Sequence, residues 1–88
     1  MGVLYDIFKA YARLKDEFLL KQFERYGYSV EKVYDMLWKG RISIIKYNDT
    51  EDYCIDGIAL FRVREHRNSN GNVVSFESYD ILPPKVGR

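Results

Sequence analysis

The spacing of apolar residues changes at Gly40, and no other feature of the chain constrains its fold as strongly. Before Gly40 apolar side chains recur every three or four residues, which is the period of an α-helix. After Gly40 they alternate with polar ones, which is the period of a β-strand. Helical segments followed by strands are typical of an α+β domain, and 88 residues without repeats or linkers indicate one domain over residues 1–88.

Two amphipathic helices are predicted in the first half of the chain, over residues 3–26 and 30–39. Gly27 ends the first helix. Ser29 caps the second, and Glu31 lies in its first turn, where the helix dipole favours negative charge. The link of two or three residues predicts a helical hairpin whose apolar stripes face one core.

Three strands are predicted after the helices, over residues 41–47, 53–67 and 73–81. The last strand ends at two prolines, which cannot donate to a β-ladder, so we expect residues 83–88 to form a loose tail. The predicted fold is α+β, with the two N-terminal helices packed on one face of a three-stranded antiparallel β-meander. The predicted core comprises Leu4, Ile7, Phe8, Leu14, Phe18, Phe23, Val33, Leu37, Ile44, Phe61, Val63 and Ile81.

Three groups of turn-forming residues divide the strand region. Residues 48–52 are polar and predict the turn between the first two strands. Asp56-Gly57 predicts a bulge or kink within the long second strand, because a tight turn there would leave only a very short strand before it. Asn70-Gly71 is typical of a two-residue hairpin turn, which would pair Ser69 with Asn72.

A row of cations alternates along the predicted second strand, opposite the face that carries its apolar residues. A hairpin turn at Asn70-Gly71 would place Arg64 opposite Glu77 and Arg62 opposite Tyr79. Guanidinium groups beside a tyrosine ring can contact phosphates while the ring stacks on a base. The same pattern is typical of a solvated sheet face with ordinary cross-strand pairs, which is the interpretation we favour. The candidate nucleic-acid residues are Arg62, Arg64, His66, Arg67 and Tyr79.

The chain is rich in tyrosine, with eight tyrosines and one tryptophan among its 88 residues. These side chains combine an apolar body with a polar tip and suit half-buried positions and interfaces. A small domain has few fully buried positions, so we expect some of the rings to form an exposed patch. The candidate protein-interface residues are Tyr5, Tyr11, Tyr26, Tyr28, Tyr34 and Trp38.

Charge and cysteine content narrow the class of protein. The formal net charge of +1 gives no bulk attraction to nucleic acid or to an anionic membrane. Cys54 is the only cysteine, so no internal disulfide forms, and with His66 it supplies too few ligands for a zinc site. No apolar run is long enough to span a membrane, and the N-terminus lacks the pattern of a signal peptide. We expect a cytoplasmic protein with no metal and no cofactor.

The order of elements in the middle of the chain is similar to that of small RelE-like and BrnT-like ribonuclease toxins. The similarity covers the Tyr-Gly-Tyr-Ser-Val-Glu-Lys-Val stretch at residues 26–33, the helix after it, and the paired strands that begin at Ile42. Tyr26 stands before the glycine, where the BrnT-like pattern has a catalytic histidine. The resemblance implies RNA cleavage, for which the candidate residues are Arg62, Arg64, His66 and Tyr79.

The sequence contains no convergent nucleophile, base or metal set, so we predict a protein that is not an enzyme. The leading hypothesis is a small interaction or regulatory protein that acts through a tyrosine-rich amphipathic surface, with a protein partner or with itself as a homodimer. The alternative is a nucleic-acid-binding protein that uses the cationic row. The ribonuclease toxin is the third hypothesis.

Overall fold

The computed structural model describes residues 15–85 of the chain. Within this range two helices precede four strands, and every strand pairs antiparallel with the next, so the sheet order follows the chain. The elements are α1 (residues 15–25), α2 (Val30–Trp38), β1 (Ile42–Lys46), β2 (Thr50–Ile55), β3 (Ile58–Arg67) and β4 (Val73–Asp80). The predicted α+β class is confirmed, and so is an antiparallel sheet of consecutive strands. The predicted number of three strands is wrong.

The additional strand arises at Asp56-Gly57, where the structure has a tight turn and not a bulge. Asp56 and Gly57 have φ angles of 52° and 82°, the positive values that a two-residue hairpin turn requires at both central positions. The strand before this turn is long enough because β2 begins at Thr50, inside the segment predicted to be a turn. The predicted strand over residues 53–67 is therefore two strands, β2 and β3.

The hairpin between β3 and β4 has a three-residue loop and not the predicted two-residue turn. Asn68 N–H donates to Asn72 O at 2.9 Å, and Gly71 N–H donates to Asn68 O at 3.0 Å. Gly71 has a φ of 84°, as expected for the last residue of such a loop. An irregularity between His66 and Arg67 then restores the predicted register, so that Arg64 lies opposite Glu77.

Helix α1 ends and helix α2 begins where the capping residues predict. Gly27 follows α1 with a φ of 92°, a conformation that favours glycine. Ser29 caps α2, since its Oγ accepts from Lys32 N–H at 3.2 Å. Predicted helical residues 3–14, including the core candidates Leu4, Ile7, Phe8 and Leu14, lie outside the described residues. No helix within residues 15–85 has the length and apolar character needed to cross a membrane.

Phe61 of β3 lies at the centre of the core and is 0% exposed. Its ring stacks on Tyr53 with centroids 5.4 Å apart and on Tyr26 at 5.8 Å. Phe23 of α1 contacts it edge-on at 5.1 Å. Val33 of α2 belongs to the same buried cluster. Side chains of both helices and of the central strands therefore share one core.

The core differs from the predicted one at its margins. Phe23, Val33, Phe61 and Val63 are buried as predicted, and Phe18 is partly buried. Three predicted core residues are largely exposed, and several residues that the pattern did not identify are buried. The exposed ones are Leu37, Ile44 and Ile81, and the unpredicted buried ones are Tyr26, Met36, Tyr53, Cys54, Ile55 and Leu60.

Candidate functional site

Two surfaces of the domain carry the residues that the sequence singled out. One is the face of the sheet opposite Phe61, here called the charged face, defined by Arg62, Arg64 and His66 of β3 with Glu77 and Tyr79 of β4. The other surface is formed by exposed apolar residues of α2 and β1. The alternation of β3 determines the first surface, because neighbouring side chains on a strand point to opposite sides.

The charged face contains an ion pair whose carboxylate is buried and whose arginine is partly exposed. Asp52 of β2 is 4% exposed, and its two carboxylate oxygens accept from Arg62 Nε at 2.6 Å and Arg62 Nη2 at 3.0 Å. The Arg62 guanidinium also lies 4.9 Å from the centre of the Tyr47 ring. Charge-assisted bidentate pairs of this kind are among the stronger hydrogen bonds in proteins. Arg62 is therefore held against the sheet by a carboxylate and a ring.

The other members of the row contact carboxylates through single, more exposed interactions. Arg64 Nη1 lies 2.5 Å from Asp49 Oδ2, and this hydrogen bond raises the pKa of Arg64. His66 Nε2 lies 2.6 Å from Glu77 Oε1, an interaction that lowers the pKa of Glu77. Because Arg62 and Arg64 meet carboxylates of the same chain, neither guanidinium can bind a phosphate without giving up part of that contact. Arg67 completes the set with a 2.7 Å pair to Glu65.

Two of the candidate interface tyrosines are wholly or partly buried. Tyr26 is 4% exposed, and its hydroxyl lies 2.9 Å from Leu60 O and 2.8 Å from Leu82 O, within donating distance of both. Its burial, with the nearby Asp80 carboxylate, raises the pKa of Tyr26 to about 12. Tyr28 is partly buried and packs against the core. Tyr26 thus holds the segment after β4 and offers no surface to a partner, while Tyr5 and Tyr11 lie outside the described residues.

The remaining two candidates lie together on the exposed side of α2. Trp38 is 90% exposed and Tyr34 is 55% exposed. Val30 and Leu37 flank them at 48% and 51%. These four residues are the outer stripe of α2. Their spacing of i, i+4, i+7 and i+8 puts them on one side of the helix. Tyr34 and Trp38 are among the predicted interface residues, whereas Leu37 was predicted to lie in the core.

A cleft of about 300 Å³ adjoins the outer stripe. Its lining is mainly apolar and includes Tyr34 and Leu37 of α2, Leu19 and Leu20 of α1 and Ile44 of β1, while Lys15 and Asp16 are its charged members. Ile44 is itself 47% exposed. Outer stripe and cleft therefore form one continuous apolar surface. Sequence reasoning assigned Ile44 to the core, since alternation alone shows which residues share a face but not how far the helices cover it.

The metal and thiol candidates add no further site within the described part of the chain. Across residues 15–85, no three His, Cys, Asp or Glu side chains are grouped so that they could hold a metal ion. Cys54 is a free cysteine and is 1% exposed. A thiol at this depth packs as a small apolar side chain.

Comparison with known proteins gives no relative from which a function could be inferred, so the function is inferred from the geometry of the chain itself. A scan against protein-family models, a search of curated proteins and a search of solved structures each find no match to this chain.

Proposed function

We propose that this protein is a non-enzymatic interaction module that binds a protein partner through the outer stripe of α2 and the adjoining cleft. The observation that carries the proposal is the position of Trp38, which is 90% exposed beside Tyr34 and Leu37. Tryptophan and tyrosine are, with arginine, enriched among the residues that dominate the binding energy of protein interfaces. The proposal takes both helices to lie on the Phe61 side of the sheet, which leaves the outer stripe facing solvent.

The charged face supports a nucleic-acid function less well. A phosphate contact by Arg62 or Arg64 would have to replace a hydrogen-bonded carboxylate of the same chain. Replacing a paired carboxylate costs free energy, whereas covering an exposed indole ring releases it. Of the two surfaces, the outer stripe is thus the one that gains more from a macromolecular partner.

Site-specific photocrosslinking tests the proposal in cells that express the full chain. A photoreactive amino acid in place of Trp38 should crosslink to protein, and the crosslinked species is identified by mass spectrometry. The matched control carries the same group in place of Tyr79, an aromatic residue of the charged face that is 42% exposed.

The two positions separate the hypotheses. Protein adducts at position 38 that are absent from position 79 support the proposal. RNA adducts at position 79 without protein adducts at position 38 would overturn it in favour of the nucleic-acid alternative. Cleavage of that RNA, lost in a His66→Ala variant, would identify the ribonuclease hypothesis instead.

A further inference from the structure

We propose that the partner is a second copy of this chain, joined through the free edge of β1 and the outer stripe of α2. This inference rests on the proposed function, because it names the occupant of the same surface. Two independent observations support it, one on side chains and one on the backbone. One is the apolar side-chain surface of α2, and the other is the unpaired backbone edge of β1.

Helix α2 carries more apolar surface than the domain buries. Val33 and Met36 face the core and are 3% and 0% exposed. At about 100° per residue, the outer stripe covers a further arc of about 100° next to them. A helix of a small domain normally turns its polar residues to water. An exposed apolar arc of this size on a nine-residue helix therefore indicates that another protein surface covers it.

The edge of β1 is open to backbone pairing. Within the described residues β1 has a neighbouring strand on one side only. Asp56 N–H donates to Arg41 O at 2.8 Å, and Tyr47 N–H donates to Thr50 O at 2.8 Å. These bonds flank β1 and show that its odd-numbered residues direct their backbone hydrogen bonds to β2. In an antiparallel ladder the alternate residues direct their N–H and C=O groups the other way. Ile42, Ile44 and Lys46 therefore direct theirs to the free edge.

This edge carries fewer charged side chains than the opposite edge of the sheet. Strand edges are normally guarded by charged side chains, and β4 carries Glu77 and Asp80. The sequence of β1, Ile-Ser-Ile-Ile-Lys, has one charge at its end, and that charge, on Lys46, lies 3.8 Å from Glu51 of the same chain. The other four side chains of β1 are uncharged, so they do not repel a second copy at this edge.

A two-fold axis at Ile44 places both the β1 edge and the outer stripe in the dimer interface. Antiparallel pairing centred there places Ile44 opposite Ile44 of the second copy and Ile42 opposite Lys46, so that all the free backbone groups of both edges are used. Because Ile44 also lines the cleft with Tyr34 and Leu37, the same axis brings the two outer stripes together. The result is one eight-stranded sheet across the dimer.

Charge and area are consistent with a second copy. An axis perpendicular to the sheet makes the two α2 helices antiparallel, so the acidic first turn at Glu31 approaches the end that carries Lys39. The net charge of +1 per chain causes little repulsion. Trp38 and Tyr34 alone expose on the order of 300 Å². With the rest of the stripe, the cleft and the strand edge, the surface approaches the roughly 800 Å² per copy of a standard interface.

Sedimentation equilibrium of the full chain tests the dimer. We expect a monomer–dimer equilibrium whose dissociation constant rises about tenfold or more in Trp38→Ser and in Ile44→Lys. Tyr79→Ser, the matched control on the charged face, should leave it unchanged. A chain that stays monomeric at all concentrations, or a dimer that neither Trp38→Ser nor Ile44→Lys weakens, overturns the inference.

Disulfide crosslinking tests the register without relying on weakened variants. Residues at the centre of an antiparallel pair lie about 5.5 Å apart at Cα, a separation that a disulfide spans. Ile44→Cys should therefore form a covalent dimer at low protein concentration under mild oxidation. Ile58→Cys, at a position that is more exposed at 58%, should not. Equal crosslinking of the two variants contradicts the register.

The outcome separates this inference from the proposed function. If the chain is monomeric while a photoreactive group at position 38 still crosslinks a different protein, the second copy is wrong and the interaction surface stands. If no protein is crosslinked at position 38 and the chain is monomeric, both proposals fail.

Discussion

The two faces of the sheet are stabilised by different interactions, although the same strand supplies both. Phe61 and Val63 of β3 lie on the aromatic face, where they are buried with rings from α1 and β2. Arg62 and Arg64 alternate with them and meet carboxylates on the charged face. Burial on the aromatic face removes apolar area from water and is not directional. The ion pairs of the charged face require a specific geometry and weaken with salt and with changes of pH. Burial on the aromatic face should therefore contribute more to the free energy of unfolding.

The largest effect should follow loss of the ring at the centre of the aromatic face. We expect Phe61→Ala to lower the free energy of unfolding by about 3–5 kcal/mol, because it removes contacts with three rings and leaves a cavity. Chemical denaturation followed by circular dichroism measures the change. Ile58→Ala, an exposed position on the same strand, is the control and should lie within about 0.5 kcal/mol of the wild type.

A smaller but clear effect is expected from the buried carboxylate of the charged face. Asp52→Ala removes two charge-assisted hydrogen bonds to Arg62, and we expect a loss of about 1–3 kcal/mol in the free energy of unfolding. Asp49→Ala tests an otherwise similar pair, but the Asp49 side chain is 68% exposed, so little change should be measurable. Equal losses at the two positions would show that burial does not distinguish the pairs.

The buried hydroxyl of Tyr26 tests whether the aromatic face also depends on polar contacts. Tyr26→Phe leaves Leu60 O and Leu82 O without this donor, and we expect a loss of about 1–2 kcal/mol. Because burial raises the pKa of Tyr26 to about 12 from 10.0, the contribution of the neutral hydroxyl is complete below pH 10 and is lost as the pH rises through 12. Urea denaturation over this range should show the two proteins converging.

The smallest effect is expected at the end of the aromatic face, where Glu51 accepts from Lys15 Nζ at 2.9 Å and from the Tyr53 hydroxyl at 2.7 Å. Burial alone would raise the pKa of Glu51, but these hydrogen bonds outweigh it and lower the pKa below the ordinary 4.5. The stabilisation is therefore present above pH 4.5 and is lost as the pH falls through the lower folded-state value.

Glu51→Gln measures this contribution. The variant should be less stable than the wild type by less than about 1 kcal/mol at neutral pH, and the difference should shrink in acid. Glu24→Gln, on the exposed side of α1, is the control. A difference that grows as the pH falls would contradict the assigned direction.

Much of the fold was predictable because local pattern carried it. The change of period at Gly40, the cap at Ser29 and the alternation of β3 each depend on residues close in the sequence. Local pattern at Asp56-Gly57 predicts a bulge, because a tight turn there leaves only a very short strand over residues 53–55. The extension of β2 back to Thr50 depends on pairing with β1 and β3, which local pattern does not show.

The candidate sites were predicted less well than the fold. Alternation correctly placed Arg62, Arg64 and His66 on one face, but their carboxylate partners include Asp49 and Asp52 from the preceding hairpin. Composition likewise predicted exposed aromatic residues without distinguishing Tyr26 from Trp38. That distinction depends on which side of each helix meets the sheet, and this is a property of packing.

The sequence by itself determined the element types, the α+β class and the side of β3 on which each residue lies, because these follow from backbone period and turn chemistry. Only the tertiary structure decided the number of strands, the pairing of the cations and the exposure of Trp38 and Ile44. These depend on contacts between residues distant in the chain, and an apolar residue has the same local pattern whether a helix covers it or leaves it open.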